Sequence, residues 1–279
     1  MPGTPAISPK RAAKLRTKKH REAERLFLAE GHALLEETPS APLQVFDSAE
    51  QLRRVSTLKS PSGPVGVFPF LDVTATELLA SVRRVVLLHG VQDPGNVGTA
   101  IRSAHAFGAG VALSWGSAVL YNPKTVRASM GSIFHIPVAR ELESVDFLAE
   151  AGSAAFGLVA AVPEAGRKPG ALPGGRLVVC IGAEGSGLPE EVVGACEMGV
   201  GIPSQAPRTS SGSPEPSAPM QTTSLPRGRA SGLLPAAGTA AARPKPASAA
   251  EVRNSTDASS LATGVWKIDP MVALTVLGL

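Results

Sequence analysis

Two glycine-rich turns contain the side chains of this sequence that are best suited to chemistry. The first lies in VQDPGNVGTAIRSAHAFGAG, where Pro94-Gly95 predicts a tight turn. Asn96 can cap the helix that follows, and Gly98 permits close approach of another backbone. Arg102 follows Gly98 by four residues, which places it about one helical turn further along. The pattern offers an amide and a guanidinium close to a tight turn.

The second turn lies in CIGAEGSGLPEEV. Gly182, Gly185 and Gly187 flank Glu184 there, ahead of a helix that we predict to begin near Pro189. Both turns follow short apolar runs, and parallel sheets bind ligands outside the carboxyl ends of their strands. Neither turn has the GxGxxG order of a dinucleotide fold or the GxxxxGK[ST] order of a phosphate-binding loop. The sequence gives no local support for a nicotinamide enzyme or a nucleoside triphosphatase.

The stretch from Lys10 to Arg25 is strongly basic, with eight Lys or Arg against two acids. Together with the net charge of +4 and a pI near 9.3, it favours a polyanionic partner. The alternative is a solvated helix face, because basic clusters are common. The residues expected to contact RNA are Lys14, Lys18, Lys19 and Arg21.

Hydrophobic periodicity predicts three folded segments and a tail. Residues 1–25 form a basic helical lead-in, and LFLAEGHALLEE forms a second short helix. Residues 26–75 form a partial α/β module, in which Leu43 to Val73 supply two strands and a helix, too few strands for a separate sheet. Residues 83–203 alternate apolar runs with helical patterns, which is typical of a mostly parallel α/β sheet with helices on both faces. Residues 204–279 are rich in Pro, Ser and Ala, and we expect them to be disordered.

Composition excludes several classes of protein. No apolar run approaches the roughly 18 residues needed to cross a bilayer, and no secretory signal is predicted. Two cysteines, Cys180 and Cys196, are too few for a disulfide scaffold, and no metal-ligand spacing is present. We expect a protein of the reducing cytoplasm that needs no metal.

The two turns, in this order, resemble motifs one and two of the SpoU (TrmH) family of SPOUT RNA 2′-O-methyltransferases. NVGTAIRSAHAFGAG is similar to the family pattern N-x-x-G-x-x-R-x-A-x-A-F-G, and ASMGSIFHIPV resembles the segment between the motifs. IGAEGSGLPEEV followed by IP resembles motif two. KKHREAERLFLAEG is similar to the start of the small substrate-binding domain of many members, although a middle portion is missing.

This resemblance implies methyl transfer from S-adenosylmethionine to a ribose 2′-hydroxyl of rRNA or tRNA. It implies catalytic roles for Arg102 and Asn96. It also implies that S-adenosylmethionine lies against motif two, and the residues concerned are Gly182, Glu184, Gly185 and Ile202. A guanidinium is not readily deprotonated in proteins, so we expect Arg102 to orient the ribose and its phosphate instead of acting as a base.

The resemblance ends after Pro203. Family members have an S-L-N-V motif there and a helix that completes a C-terminal trefoil knot, whereas this sequence reads SQAPRTSSGSPEPSAPM. The fold expected from the resemblance is a SPOUT-type sheet, and the loss of motif three leaves completion of its knot open. The family homodimer uses helices near the knot, so we expect weak dimerisation here. A catalytically inactive RNA-binding protein on a SPOUT scaffold is the alternative.

Overall fold

The computed structural model describes residues 6–61, 63–163, 172 and 174–202, with the backbone alone at Pro163 and Ile202. The predicted tail at 204–279 lies outside the described residues. Among the residues described, no helix has both the length and the apolar character needed to span a bilayer.

The larger sheet has six parallel strands in the order β6-β5-β4-β8-β7-β9. The strands are β4 (Arg84–His89), β5 (Gly110–Ser114), β6 (Val138–Leu142), β7 (Gly157–Pro163), β8 (Leu177–Gly182) and β9 (Met198–Ile202). Each of the six strands coincides with an apolar run from which a strand is predicted. The mostly parallel sheet predicted for this region is therefore confirmed.

Helices cover both faces of this sheet. They are α5 (Ala75–Ser81), α6 (Pro94–Ala106), α7 (Pro123–Ala128), α8 (Ser144–Ser153) and α9 (Glu190–Gly194). Alternate residues of β4 enter opposite cores: Val86 packs with α6 and α7, whereas Val85 packs with α5, α8 and α9. Burial of strand residues on both faces explains why the strands are continuous apolar runs.

Strands β4 and β8 are neighbours, yet the helices that follow them lie on opposite faces of the sheet. Helix α6 follows β4 on one face, and α9 follows β8 on the other. A crevice opens outside the carboxyl ends of two strands arranged in this way. The candidate ligand crevice is therefore the region where β4 ends at His89 and β8 ends at Gly182.

A smaller antiparallel sheet precedes the large one, in the order β1-β3-β2. Its strands are β1 (Leu26–Glu30), β2 (Gln44–Phe46) and β3 (Val65–Pro69). Four short helices accompany it: α1 (Pro9–Lys14), α2 (Lys18–Glu24), α3 (His32–Glu36) and α4 (Ala49–Val55). The strands predicted between Leu43 and Val73 are confirmed as β2 and β3, but the expectation that they are too few for a separate sheet is wrong, because β1 adds a third strand. The domain boundaries stay a prediction.

The predicted helix over LFLAEGHALLEE is also wrong in its first half. Those residues form β1, and only His32–Glu36 is helical. All five residues of β1 are buried, because the strand has a core on each face. Leu26 and Leu28 face the core beneath α1 and α4. Phe27 faces the core of the large sheet. A strand that is buried on both faces shows no alternation of apolar and polar residues, so its sequence pattern cannot be distinguished from that of a short buried helix.

Candidate active site

The first turn is held by a helix cap that sequence reasoning assigned to the wrong residue. Asp93 is the N-cap of α6, and its Oδ1 accepts hydrogen bonds from Gly95 N at 2.6 Å and Asn96 N at 3.1 Å. The hydrogen bond from Lys124, together with the Asn96 amide, holds the pKa of Asp93 below its ordinary value. Because Asp93 satisfies the helix terminus, the Asn96 side chain can reach outside its own helix.

Gly98 permits close approach of another backbone, as predicted. A Cβ at this position would lie about 2.5 Å from Ala128 Cβ and 2.6 Å from Thr125 O. Gly98 therefore allows α6 to pack closely on α7, and the backbone that approaches it belongs to a neighbouring helix.

The second turn begins where β8 ends. Gly187 N donates to Ala183 O at 2.9 Å and closes the turn, and Gly187 has a φ of +67°. A Cβ at Gly182 would overlap the backbone of Gly187 and Leu188, so only glycine fits where the strand enters the turn. Gly185 is exposed, and a Cβ there would meet no atom within 4 Å. The turn is therefore tightly packed where it leaves β8, and it has open space at its tip.

The two turns meet through their polar side chains. Asn96 Nδ2 donates a hydrogen bond to Glu184 Oε1. Beneath this contact the ends of β4 and β8 are in register, with His89 opposite Gly182. Residues 88 positions apart in sequence are therefore joined at the mouth of the crevice.

His89 lies between the turns and was not identified from the sequence. Its Nδ1 is 2.8 Å from Ser144 Oγ. Burial lowers the pKa of His89 despite the opposing charges of Glu191 and Glu143. His89 is therefore a neutral imidazole at neutral pH.

Arg102 is exposed on α6, six residues beyond Asn96 and thus roughly 9 Å further along the helix axis. Its guanidinium Nη1 lies 3.0 Å from Met130 Sδ, in the segment after α7. Met130 is itself 61% exposed and has a φ of +47°. Arg102 therefore lies on the outer surface of α6, further along the helix than the joined turns, where its donors can meet a large ligand.

Ile202 is the last residue of β9, where it pairs with Pro163 of β7. Strand β7 lies between β9 and β8, so the backbone of Ile202 is two strands away from Gly182, at the same carboxyl edge of the sheet. Gly182, Glu184, Gly185 and Ile202 thus share one edge of the sheet, while their contacts with a cofactor stay a prediction. No group of three His, Cys, Asp or Glu within the described part of the chain could hold a metal ion.

The basic lead-in divides into exposed lysines and a structural arginine. Lys14, Lys18 and Lys19 are exposed on α1 and α2. Arg21 is only 3% exposed, and its Nη1 donates to Leu15 O at 3.0 Å and Arg16 O at 2.9 Å. The assignment of Arg21 to RNA binding is corrected, because its guanidinium is used to hold the turn between α1 and α2.

Comparison with known proteins agrees with this architecture. The SpoU rRNA Methylase family model matches residues 83–211. The 23S rRNA (guanosine(2553)-2′-O)-methyltransferase RlmP of Bacillus subtilis is 39% identical over 146 residues, which are 46% of this chain and 59% of that protein. A tRNA/rRNA methyltransferase of Synechocystis, described as uncharacterized, is 32% identical over 167 residues, 59% of this chain and 60% of that protein. The chain thus spans about six tenths of the length of these relatives.

A solved structure extends the similarity to most of the chain. The AdoMet-bound rRNA methyltransferase from Sinorhizobium meliloti superposes with a TM-score of 0.63 at 27% identity, covering 74% of this chain and 88% of that one. The fold is the mostly parallel α/β fold of the SPOUT methyltransferases. Residues 83–211 are similar in sequence to the SpoU rRNA Methylase family.

Proposed function

We propose that this protein transfers a methyl group from S-adenosylmethionine to a ribose 2′-hydroxyl of rRNA or tRNA. The observation that carries the proposal is the hydrogen bond between Asn96 and Glu184, which joins the two family motifs at the crevice between β4 and β8. The enzymes named above, which share this domain, support the same chemistry.

The residues at the crevice fit S-adenosylmethionine. The tip of the second turn is open at Gly185, and its backbone groups are available to a purine and a ribose. Asn96 occupies one oxygen of Glu184, which leaves the second oxygen to accept hydrogen bonds from ribose hydroxyls. The negative charge of Glu184 also favours a cationic ligand nearby. When bound, S-adenosylmethionine supplies a methyl group already activated by its sulfonium.

The protein's contribution is then mainly to position the acceptor. Arg102 offers a planar fork of donors from the exposed face of α6, which suits a phosphate and the ribose next to it. Asn96 holds Glu184 and thereby ties the second turn to the start of α6. The hydroxyl oxygen takes the methyl group as the carbon–sulfur bond of the sulfonium breaks, and its proton passes to the adjacent phosphate or to water. Holding the oxygen in line therefore supplies acceleration without any change of protonation at Arg102.

Transfer from S-adenosylmethionine carrying a tritiated methyl group to bulk rRNA and tRNA tests this function. We expect label to enter RNA and S-adenosylhomocysteine to bind saturably in calorimetry. The alternative, an inactive RNA-binding protein on the same scaffold, predicts RNA binding with neither label nor cofactor binding. The joined turns favour the enzyme, because a degenerate site has no need to keep Asn96 on Glu184.

We also propose the partner, the compartment and the oligomeric state of the protein. Cytoplasmic rRNA or tRNA is the proposed partner, and self-association as a homodimer is expected to be weak. Sedimentation of the purified chain across a range of concentrations tests the latter, and a stable dimer at low concentration would contradict it.

A further inference from the structure

A second cleft opens at the carboxyl end of β5, beside the crevice between β4 and β8. It measures about 160 Å³ and lies where the first turn of α2 approaches the ends of β5 and β6. Its lining includes Lys18, Trp115, Gly116, Ser117, Arg140 and Glu141. Neither family motif contains any of these residues.

Trp115 is the most unusual side chain of this cleft. It is 55% exposed in a chain with only 4% aromatic residues. Its backbone is nevertheless fixed at both ends, because its N–H donates to Leu142 O at 3.0 Å and its carbonyl accepts from Ser114 Oγ at 2.9 Å. A large apolar ring held outward on a fixed backbone is suited to stacking on a planar partner.

Hydrogen bonds tie the Trp115 turn to the candidate active site. Gly90 N donates to Ser114 Oγ at 3.0 Å, and Ser117 Oγ donates to Leu88 O at 3.1 Å. Ala118 N also donates to Val91 O at 2.8 Å, in the segment that leads to α6. Since β4 alone separates β5 from β8, the end of β5 lies about 10 Å from the second turn across the sheet. This is the scale of one or two nucleotides in a single strand.

The charged side chains of the cleft differ in what they offer a nucleotide. Arg140 is paired with three carboxylates, those of Glu22, Asp72 and Glu141, at 3.0, 3.2 and 3.1 Å, so its donors are engaged within the protein. Lys18 is exposed, and within the described residues it forms no ion pair. An ammonium beside an aromatic face offers one contact for a phosphate and one for a base.

We propose that the Trp115 cleft binds an unpaired nucleotide of the substrate RNA, with its base stacked on the indole and its phosphate near Lys18. The proposal rests on RNA being the substrate, as argued under the proposed function. It assigns a positioning role to Trp115: the stacked base would fix the strand so that a nearby ribose reaches the crevice. Stacking tolerates every base, so this contact would contribute affinity and register more than sequence discrimination.

Fluorescence of the full chain tests this directly. The sequence has two tryptophans, and Trp266→Phe leaves Trp115 alone. We expect a short single-stranded RNA of mixed sequence to quench this emission, and the same RNA with an abasic ribose in place of each internal base to quench it far less. Trp115→Ala should weaken binding of the intact RNA by roughly 5- to 100-fold, as expected for one lost stack. Trp115→Phe should recover much of the affinity.

Phe107 provides a matched control. It is 36% exposed and lies after α6 at the opposite, amino edge of the sheet, so Phe107→Ala should leave RNA affinity unchanged. Binding of S-adenosylhomocysteine should be the same in both alanine variants. These readouts separate loss of an RNA contact from general damage to the fold.

The outcomes distinguish this proposal from the proposed function. Equal RNA affinity of wild type and Trp115→Ala, or equal quenching by the abasic RNA, would overturn the stacking role while methyl transfer could still be observed. Selective weakening by Trp115→Ala without any methyl transfer would support the cleft and contradict the enzyme. A protein that neither binds nor methylates RNA would overturn both.

Discussion

Arg102 is the side chain whose role can be separated most cleanly from cofactor binding. Its guanidinium lies beside Met130 on the exposed surface, whereas the proposed cofactor residues lie in the turn after β8. We predict that Arg102→Lys lowers kcat/KM for methyl transfer by roughly 100-fold, because an ammonium lacks the planar fork that orients a ribose and its phosphate.

Calorimetry supplies the second readout for Arg102→Lys. Affinity for S-adenosylhomocysteine should be nearly unchanged. Arg53→Lys, at an exposed position on α4, is the control and should leave both quantities intact. A parallel loss of cofactor affinity in Arg102→Lys would assign the arginine to the cofactor pocket instead.

Two glycines of the second turn should respond differently to alanine. Gly182→Ala puts a methyl group into the backbone of Gly187 and Leu188, so we predict a loss of about 1–3 kcal/mol in the free energy of unfolding, together with loss of cofactor binding. Gly185→Ala meets open space and should leave thermal stability unchanged. Thermal denaturation of both variants checks this, and equal destabilisation would contradict the described turn.

At the scale of elements, a polar cluster joins α2 and the segment after β3 to β6. Tyr121 Oη accepts from Leu71 N at 2.6 Å and Asp72 N at 2.7 Å, and it donates to Asp72 Oδ1 at 2.7 Å. Arg140 of β6 pairs with both Asp72 and Glu22 of α2. This cluster holds the basic lead-in beside the large sheet.

The cluster predicts a particular dependence of stability on pH. Burial pushes the pKa of Asp72 upward, but the Tyr121 hydroxyl and the Arg140 charge outweigh it and hold that pKa below its ordinary value. The contribution of Asp72 is therefore complete above the unfolded pKa of about 3.9 and is lost as pH falls through the lower folded value. Stability should fall in this acid range.

Asp72→Asn isolates this effect. The free energy of unfolding of this variant at pH 7 should be lower by about 1–3 kcal/mol, because Arg140 loses a charged partner. As the pH falls into the acid range, that free energy should decrease less in the variant than in the wild type. Urea denaturation at several pH values measures it, with exposed Asp47→Asn as the control. Parallel pH profiles for wild type and Asp72→Asn would rule out the linkage.

The elements differ in how far the sequence could predict them. Strands of the large sheet were predictable because Val85–Leu88 and Leu177–Ile181 are buried on both faces between helices. The same property misled the prediction at β1, which is equally apolar but lies next to helical segments. Helix α7 was missed, since its six residues are too few for a clear period.

The candidate site was predictable only in part, for a physical reason. Asn96 and Glu184 each lie in a recognisable turn, but their contact depends on β4 and β8 being neighbours, which no local pattern encodes. The burial of Arg21 depends likewise on how α1 packs against α2. Trp115 carries no signal in sequence, because exposure of an aromatic side chain is a tertiary property.

At the scale of the whole molecule, the exposed lysines of the lead-in should set the salt dependence of RNA binding. Replacing Lys14, Lys18 and Lys19 with Gln removes up to three phosphate contacts, so the slope of log affinity against log salt should fall by about 2 on single-stranded RNA. Replacing three other exposed cations, Arg53, Lys59 and Arg83, with Gln gives the charge-matched control. An unchanged slope in the lysine variant would show that these lysines form a solvated surface and contact no phosphate.

The central claim is that the crevice between β4 and β8 directs a methyl group to a ribose oxygen. Complete digestion of RNA labelled by this protein, followed by chromatography of the nucleosides, tests it most directly. We predict that the tritium elutes with 2′-O-methylnucleosides, and that Arg102→Lys removes this peak while Arg53→Lys retains it. Label recovered in base-methylated nucleosides would contradict the assignment of the reaction.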